Sequence, residues 1–172
     1  MIVPPVRISG ERRIAIGSGV FIGSGSWLQV LPGPGEGVAL RVGDGTSIVG
    51  DCVLSAASSV EVGRNVLIAR NVYIADHGHA YADRRVPILD QGIADVGSVT
   101  IRDAAWLGQN VVVSPGVTIG RGAVIGANSV VKDDIPDYSV AVGAPARVVR
   151  DFSGDPRPAG PALQSPAFKP SA

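Results

Sequence analysis

A chain of 172 residues that is 45% hydrophobic and 17% charged is long enough for one core, is not disordered in composition, and has no apolar run approaching a bilayer span. Fifteen Lys and Arg balance fifteen Asp and Glu, which argues against a nucleic-acid footprint and for scattered, solvated surface charge. Twenty-three glycines against 5% aromatics imply many tight corners and few bulky core side chains.

The opening residues MIVPPVRISGERR lack the apolar stretch of a signal peptide, and a lone Cys52 suits a reducing compartment, so a cytoplasmic protein is expected. From Ile16 an aliphatic residue returns every sixth position, at Ile22 and Leu28, often followed by glycine. The segment LPGPGEG at 31–37 interrupts the count as a turn-rich corner insertion. The count resumes at Val42, Ile48 and Leu54, slips by two residues, and continues at Val62, Ile68 and Ile74. Cys52, two places before Leu54, shares the register of Val60, Val66 and Val72 and is predicted to face inward as an inert thiol.

The longest clean run is Ile101, Leu107, Val113, Ile119, Ile125 and Val131. A helix would return its apolar face at three and four residues, and each of Gly108, Gly116, Gly120, Gly122 and Gly126 would cost it about 1 kcal/mol. A six-residue period instead predicts a parallel β-solenoid, with three hexads closing a triangular coil of eighteen residues. Ile101 then stacks on Ile119, Leu107 on Ile125, and Val113 on Val131. The flat sides of such a prism are broad, and association with further copies is expected.

Between Ile74 and this run lies a loop excursion, residues 75–98, which holds both histidines of the chain, His77 and His79. Asp76, Tyr81, Asp83, Arg84 and Arg85 accompany them. A long loop inside a regular solenoid is more often functional than idle, although a merely solvated loop is the competing reading. An imidazole, with a reference pKa of about 6.5, suits general-base work at neutral pH.

The runs NVLIARNVYIADHGH, AAWLGQNVVVSPGVTIGRGAVIGANSVV and DIPDYSVAVGAPARVVR resemble the hexapeptide-repeat acyltransferases, most of all the sugar O-acetyltransferases of maltose and galactoside type and those of polysaccharide biosynthesis. That resemblance implies an all-β, left-handed parallel β-helix over residues 1–150, assembled as a trimer with each site between two subunits. It implies acetyl-CoA as donor and a sugar hydroxyl, free or on a nucleotide- or lipid-linked precursor, as acceptor. The family's catalytic histidine falls on His79, the general base. Asp76, His77, Tyr81, Arg84 and Arg85 become acceptor-site candidates. Trp106, Gln109, Ala127, Lys132, Arg147 and Arg150 match the positions that line the coenzyme.

Some features depart from the family. Its lysine more often stands one place after Lys132, Arg102 occupies a corner usually held by glycine, and the coils begin without the N-terminal helical segment that lines the acceptor pocket of the maltose and galactoside enzymes. Acceptor identity therefore does not transfer, and amino-sugar N-acetylation stays open. A metalloenzyme like the γ-class carbonic anhydrases needs about three protein ligands, and the H-x-H pair has no third histidine to join it, so no metal is expected. A non-catalytic structural β-helix is the remaining alternative. The tail 151–172, with five prolines and without period, reads as disordered, with Leu163 and Phe168 as a possible docking element.

Overall fold

In the computed structural model, which describes residues 1–33, 35–94 and 96–154, the aliphatic hexads become short strands and the intervals between them become corners. The tail residues Leu163 and Phe168 lie outside the described residues. The strands form the three sides of a parallel β-helix of triangular section. The first sheet stacks Arg7–Ser9, Trp27–Val30, Val53–Ala56, Tyr73–Ala75, Val112–Val113 and Val130–Val131. The second stacks Ile14–Ile16, Leu40–Val42, Val60–Val62, Val99–Ile101 and Thr118–Ile119. The third runs from Phe21–Ile22 through Ser47–Ile48, Leu67–Ile68, Trp106–Leu107 and Val124–Ile125 to Ser139–Val142, with Arg147–Asp151 folded back antiparallel on its last edge.

The predicted register is the observed one. Ile101 pairs with Ile119, Leu107 with Ile125 and Val113 with Val131. All six are buried, in a core of stacked Val, Ile and Leu. Each such side chain contributes about 1.5–3 kcal/mol on burial. Cys52 faces inward as expected, its Sγ 3.1 Å from the carbonyls of Gly50 and Ala69, and burial pushes its thiol pKa up.

The breaks in the repeat have a common location. The insertion at 31–37, the slip after Leu54 and the excursion at 75–98 all lie at the corner joining the first sheet to the second. The other two corners hold their six-residue count from Ile16 to Ile125. Insertions at one corner lengthen a turn without shifting the inward register of the sheets, so the prism absorbs them.

Corners need left-handed backbone, and asparagine supplies much of it: Asn65, Asn71, Asn110 and Asn128 have φ between 54° and 61°. Three of these stack as a ladder, Asn71 Nδ2 donating to Asn110 Oδ1 (2.9 Å) and Asn110 Nδ2 to Asn128 Oδ1 (2.8 Å). Arg102 stands in register with Gly63 and Gly120 of the adjoining coils, and its guanidinium reaches Asp137 at 3.3 Å. The strained residue of that corner is Ala104, at φ 60°. An alanine there forgoes about 1–2 kcal/mol. Ala104→Gly is therefore expected to raise thermal stability by about 0.5–1 kcal/mol after the extra unfolded-state entropy of glycine is counted, measurable as a higher Tm.

The outward rows of the three sheets differ in chemistry. On the first sheet Arg7, Trp27, Val53, Tyr73, Val112 and Val130 stand in register, the Arg7 guanidinium lying over the Trp27 ring, and on the third Phe21, Ser47, Leu67, Trp106, Val124 and Val140 do so. The second presents Ala15, Arg41, Glu61, Thr100 and Thr118. Two sides are thus largely apolar and one is mostly polar.

Candidate active site

Strand Tyr73–Ala75 ends where the excursion leaves the coil, and the residue that follows it, Asp76, is fully buried (0% exposed). Its carboxylate accepts the backbone N–H groups of Ala57 (2.7 Å), Ser58 (2.7 Å) and Ser59 (2.6 Å). Its own carbonyl accepts the N–H of Gly97 at 2.8 Å, where the excursion returns. Burial pushes the Asp76 pKa up, but the three backbone donors and the His77 ring outweigh it and hold the carboxyl below its ordinary value. Asp76 is therefore ionised at neutral pH and can only accept hydrogen bonds.

His77 follows with its ring 10% exposed and Nδ1 2.9 Å from Asp76 Oδ1, so Nδ1 carries the proton. Its Nε2 lies at a longer 3.4 Å from Ser55 Oγ, which accepts from Gln29 Nε2 at 2.7 Å. Both ring nitrogens of His77 thus face partners inside the chain.

His79 is differently placed. Gly78–His79 pairs antiparallel with Ile93–Ala94, and Ala80 N–H donates to Gly92 O, so the histidine stands on the base of a hairpin arm. It is exposed, and among the described residues its imidazole has no hydrogen-bond partner. Further along the arm Tyr81 is exposed, Arg85 is paired with Asp83 at 2.9 Å, and Arg84 is exposed without an ion pair among the described residues. Gln91, on the single turn of helix Ile88–Gln91, braces the arm by donating to the carbonyls of Asp83 (2.9 Å) and Val86 (2.7 Å).

The positions matched to the donor lie elsewhere on the prism. Trp106, 48% exposed, stands in the outward row of the third sheet. Gln109 and Ala127 are exposed on successive coils at the corner between the third and first sheets, beside the asparagine ladder, with Gln109 O accepting Asn128 N–H at 2.8 Å. Lys132 is exposed just past Val131, Arg147 meets Asp133 at 2.8 Å, and Arg150 pairs with Val140 on the returning strand. The histidine arm hangs from the opposite edge of the first sheet. The width of that sheet therefore separates the arm from Gln109 and Ala127, whereas Lys132, following Val131 in register with Ile74, stands on the arm's own edge two coils away.

Gly108 lets the coils close behind Gln109. A Cβ on it would lie 2.7 Å from Ala127 N and 2.8 Å from Ile125 O, both backbone atoms that cannot swing away. Gly108→Ala is expected to cost about 1–3 kcal/mol, read as a lower Tm.

A groove of about 500 Å³ on the second sheet, lined by Arg41, Glu61, Thr100, Arg102, Arg121 and Asp137, holds neither histidine, and its charges are of both signs. Among the described residues no three His, Cys, Asp or Glu side chains gather as a metal site, and no helix is long and apolar enough to cross a membrane.

Comparison with known proteins decides the family. The profile of the family described as bacterial transferase hexapeptide (six repeats) matches residues 98–133. The lipopolysaccharide biosynthesis O-acetyl transferase WbbJ of Escherichia coli K12, as that protein is named, is 33% identical over 155 residues, covering 87% of this chain and 77% of that one. The chain belongs to the hexapeptide-repeat acyltransferase family.

A protein of Mycobacterium tuberculosis named as an acetyltransferase is 41% identical over 139 residues, 81% of this chain, which spans only 44% of that longer protein. Among solved structures, a galactoside acetyltransferase in complex with coenzyme A superposes with a TM-score of 0.67 at 30% identity, over 80% of this chain and 64% of that one. A hexapeptide-repeat acetyltransferase of Vibrio cholerae complexed with acetyl coenzyme A gives 0.60 at 30%, over 78% and 71%. The triangular coil is the left-handed parallel β-helix of this hexapeptide-repeat family.

Sequence reasoning did not single out Ser55, Gln29 or the corner at 57–59. The available signal was the two-residue slip after Leu54, which lengthens that corner and supplies the N–H groups that Asp76 binds.

Proposed function

We propose that this protein transfers the acetyl group of acetyl-CoA to a hydroxyl of a sugar or polysaccharide precursor, with His79 as general base. The observation that carries the reading is the contrast between the two histidines: His77 has both ring nitrogens turned to internal partners, whereas the His79 ring is exposed and unengaged. Only the second is available to a substrate. The relatives named as O-acetyl transferases, and the acetyltransferases solved with coenzyme A or acetyl coenzyme A, support the donor.

In this reaction the acceptor hydroxyl oxygen attacks the thioester carbonyl carbon and His79 takes the hydroxyl proton as the C–O bond forms. The tetrahedral intermediate then expels the thiolate of coenzyme A, which takes that proton back from His79 as the C–S bond breaks, returning the imidazole to its basic form. Trp106, Gln109 and Ala127 would flank the donor's arm, and Lys132, Arg147 and Arg150 would meet its phosphates, where charge-assisted hydrogen bonds are strongest. Asp76, His77, Tyr81, Arg84 and Arg85 belong to the acceptor side, with Arg84 the cation best placed for a phosphorylated or lipid-linked sugar.

Two features support a homotrimer with sites between subunits. The prism has two apolar sides and one polar side, and a closed ring of three uses two different faces of each copy. The arm also lies across the first sheet from Gln109 and Ala127, with Trp106 on the third sheet beyond them, so a neighbour must bring its arm to that part of the donor wall. Mixing His79→Ala with Trp106→Ala chains is expected to give activity well above that of either parent, as hybrid trimers form one intact site. Failure of complementation in hybrids verified by mass spectrometry would rule out the shared site.

Turnover is tested by free-thiol release from acetyl-CoA over a panel of sugars, nucleotide sugars and amino sugars. Acetylation of a sugar hydroxyl is expected. Transfer confined to an amine would replace the O-acetyl reading with amino-sugar N-acetylation.

A further inference from the structure

The corner at Ala57, Ser58 and Ser59 exists because the repeat runs two residues long after Leu54, and nothing in a coiling scaffold requires that excess. Its three N–H groups converge on a single acceptor, the carboxylate of Asp76. Asp76 in turn stands at the point where the arm departs and, through its carbonyl and Gly97, at the point where it returns. A buried carboxylate with this many donors is rigid, because any displacement leaves charge or N–H groups unsatisfied.

His77 continues the connection. Its Nδ1–H is held by Asp76, and its Nε2 faces Ser55 Oγ on the first sheet, itself held by Gln29 on the preceding coil. Since Gln29 Nε2 donates to Ser55 Oγ, the serine proton is free for His77 Nε2. The row Gln29, Ser55, His77, Asp76 contains the residue types of a nucleophilic triad, but Ser55 is 1% exposed, so no thioester reaches its oxygen. A histidine fixed at both nitrogens two residues before an exposed histidine sets the direction of the strand that carries it.

We propose that Asp76, His77 and Ser55 form a positioning unit for His79, the corner at 57–59 fixing where the arm begins and the His77 ring fixing its direction. The inference rests on the reading of His79 as base. A misplacement of about 1 Å in such a site costs about 10²-fold in rate, without direct loss of substrate contacts.

The test uses the full chain, with acetyl-CoA and the best acceptor of the sugar panel, or water if hydrolysis is the only turnover. His77→Leu is expected to lower kcat by about 10²-fold with the KM for acetyl-CoA unchanged, and His77→Asn, whose amide can donate from near the Nδ1 position, to recover most of that loss. Ser55→Ala is expected to give a smaller loss in kcat alone. Because the chain has only two histidines, long-range ¹H–¹⁵N spectra of the unmutated protein report directly on the geometry: one ring is expected as the Nδ1–H tautomer, assigned to His77 by its absence in His77→Asn.

An unchanged kcat in His77→Leu, a fall matched by a loss of coenzyme affinity, or an Nε2–H tautomer for His77 would each overturn the proposal. His79→Ala, measured in parallel, separates the two readings. If it keeps full activity the base is misassigned, and if it is inactive while His77→Leu is normal, the base stands and the positioning unit does not.

Discussion

His79→Ala is expected to lower kcat by about 10²- to 10⁴-fold while leaving the Kd for coenzyme A and the oligomeric state unchanged. The magnitude is that of losing one general base. The loss is not total, because holding donor and acceptor together supplies much of the acceleration by itself. Binding is spared because Trp106, Gln109 and Ala127 lie away from the arm, and the His79 ring is exposed without a hydrogen-bond partner among the described residues. Calorimetry with coenzyme A and sedimentation of the variant check those two invariants. Added imidazole is expected to restore part of the rate by entering the space left by the side chain. Full activity in the alanine variant would move the base elsewhere.

Asp76→Asn is expected to be among the most destabilising single substitutions, at roughly 3–5 kcal/mol. The change leaves an amide where three N–H donors converge, and its NH₂ group can satisfy none of them. The pH dependence has a definite sign. The folded pKa lies below the ordinary value of 3.8, so the unfolded chain takes up the proton first. The contribution of Asp76 is complete above the unfolded value and is lost as pH falls through the folded one. Asp83, Asp103 and Asp151 are also lowered, each by exposed hydrogen bonds, so the informative quantity is the difference between wild type and variant. Denaturation across the acid range is expected to show that difference at its full size near neutrality and narrowing below the ordinary carboxylate range. A difference independent of pH would mean that folding does not shift the Asp76 pKa, and one that shrinks as pH rises would mean that the carboxyl is held neutral in the fold.

The solenoid was legible in the sequence because its signal is local and repeated. An aliphatic residue every sixth position states which side chains face inward, and the eighteen-residue offset states which stack, so Ile101 on Ile119 required no three-dimensional information. Handedness was not in the period, and entered by family resemblance. The interruptions were visible as lost counts, but nothing in the count said that the three at 31–37, after Leu54 and at 75–98 share one corner. That is a property of the closed triangle.

The site divides in the same way. The chain has two imidazoles, and sequence alone placed both in the excursion and favoured His79 by resemblance. Asp76 and His77 each stood as a solvated residue or a site residue, with nothing in the sequence to choose between those readings. The fold decided that Asp76 is buried and His77 internally engaged, because their partners at 57–59 and Ser55 are 17 to 22 residues away along the chain and become neighbours only when coils stack. By itself the sequence determined the period, the inward register and the loop that carries the histidines, since these depend on spacing along the chain. Only the tertiary structure decided which side chains close on one another across coils, because hydrogen bonds between coils depend on which turns are stacked, and that is set by where the insertions fall.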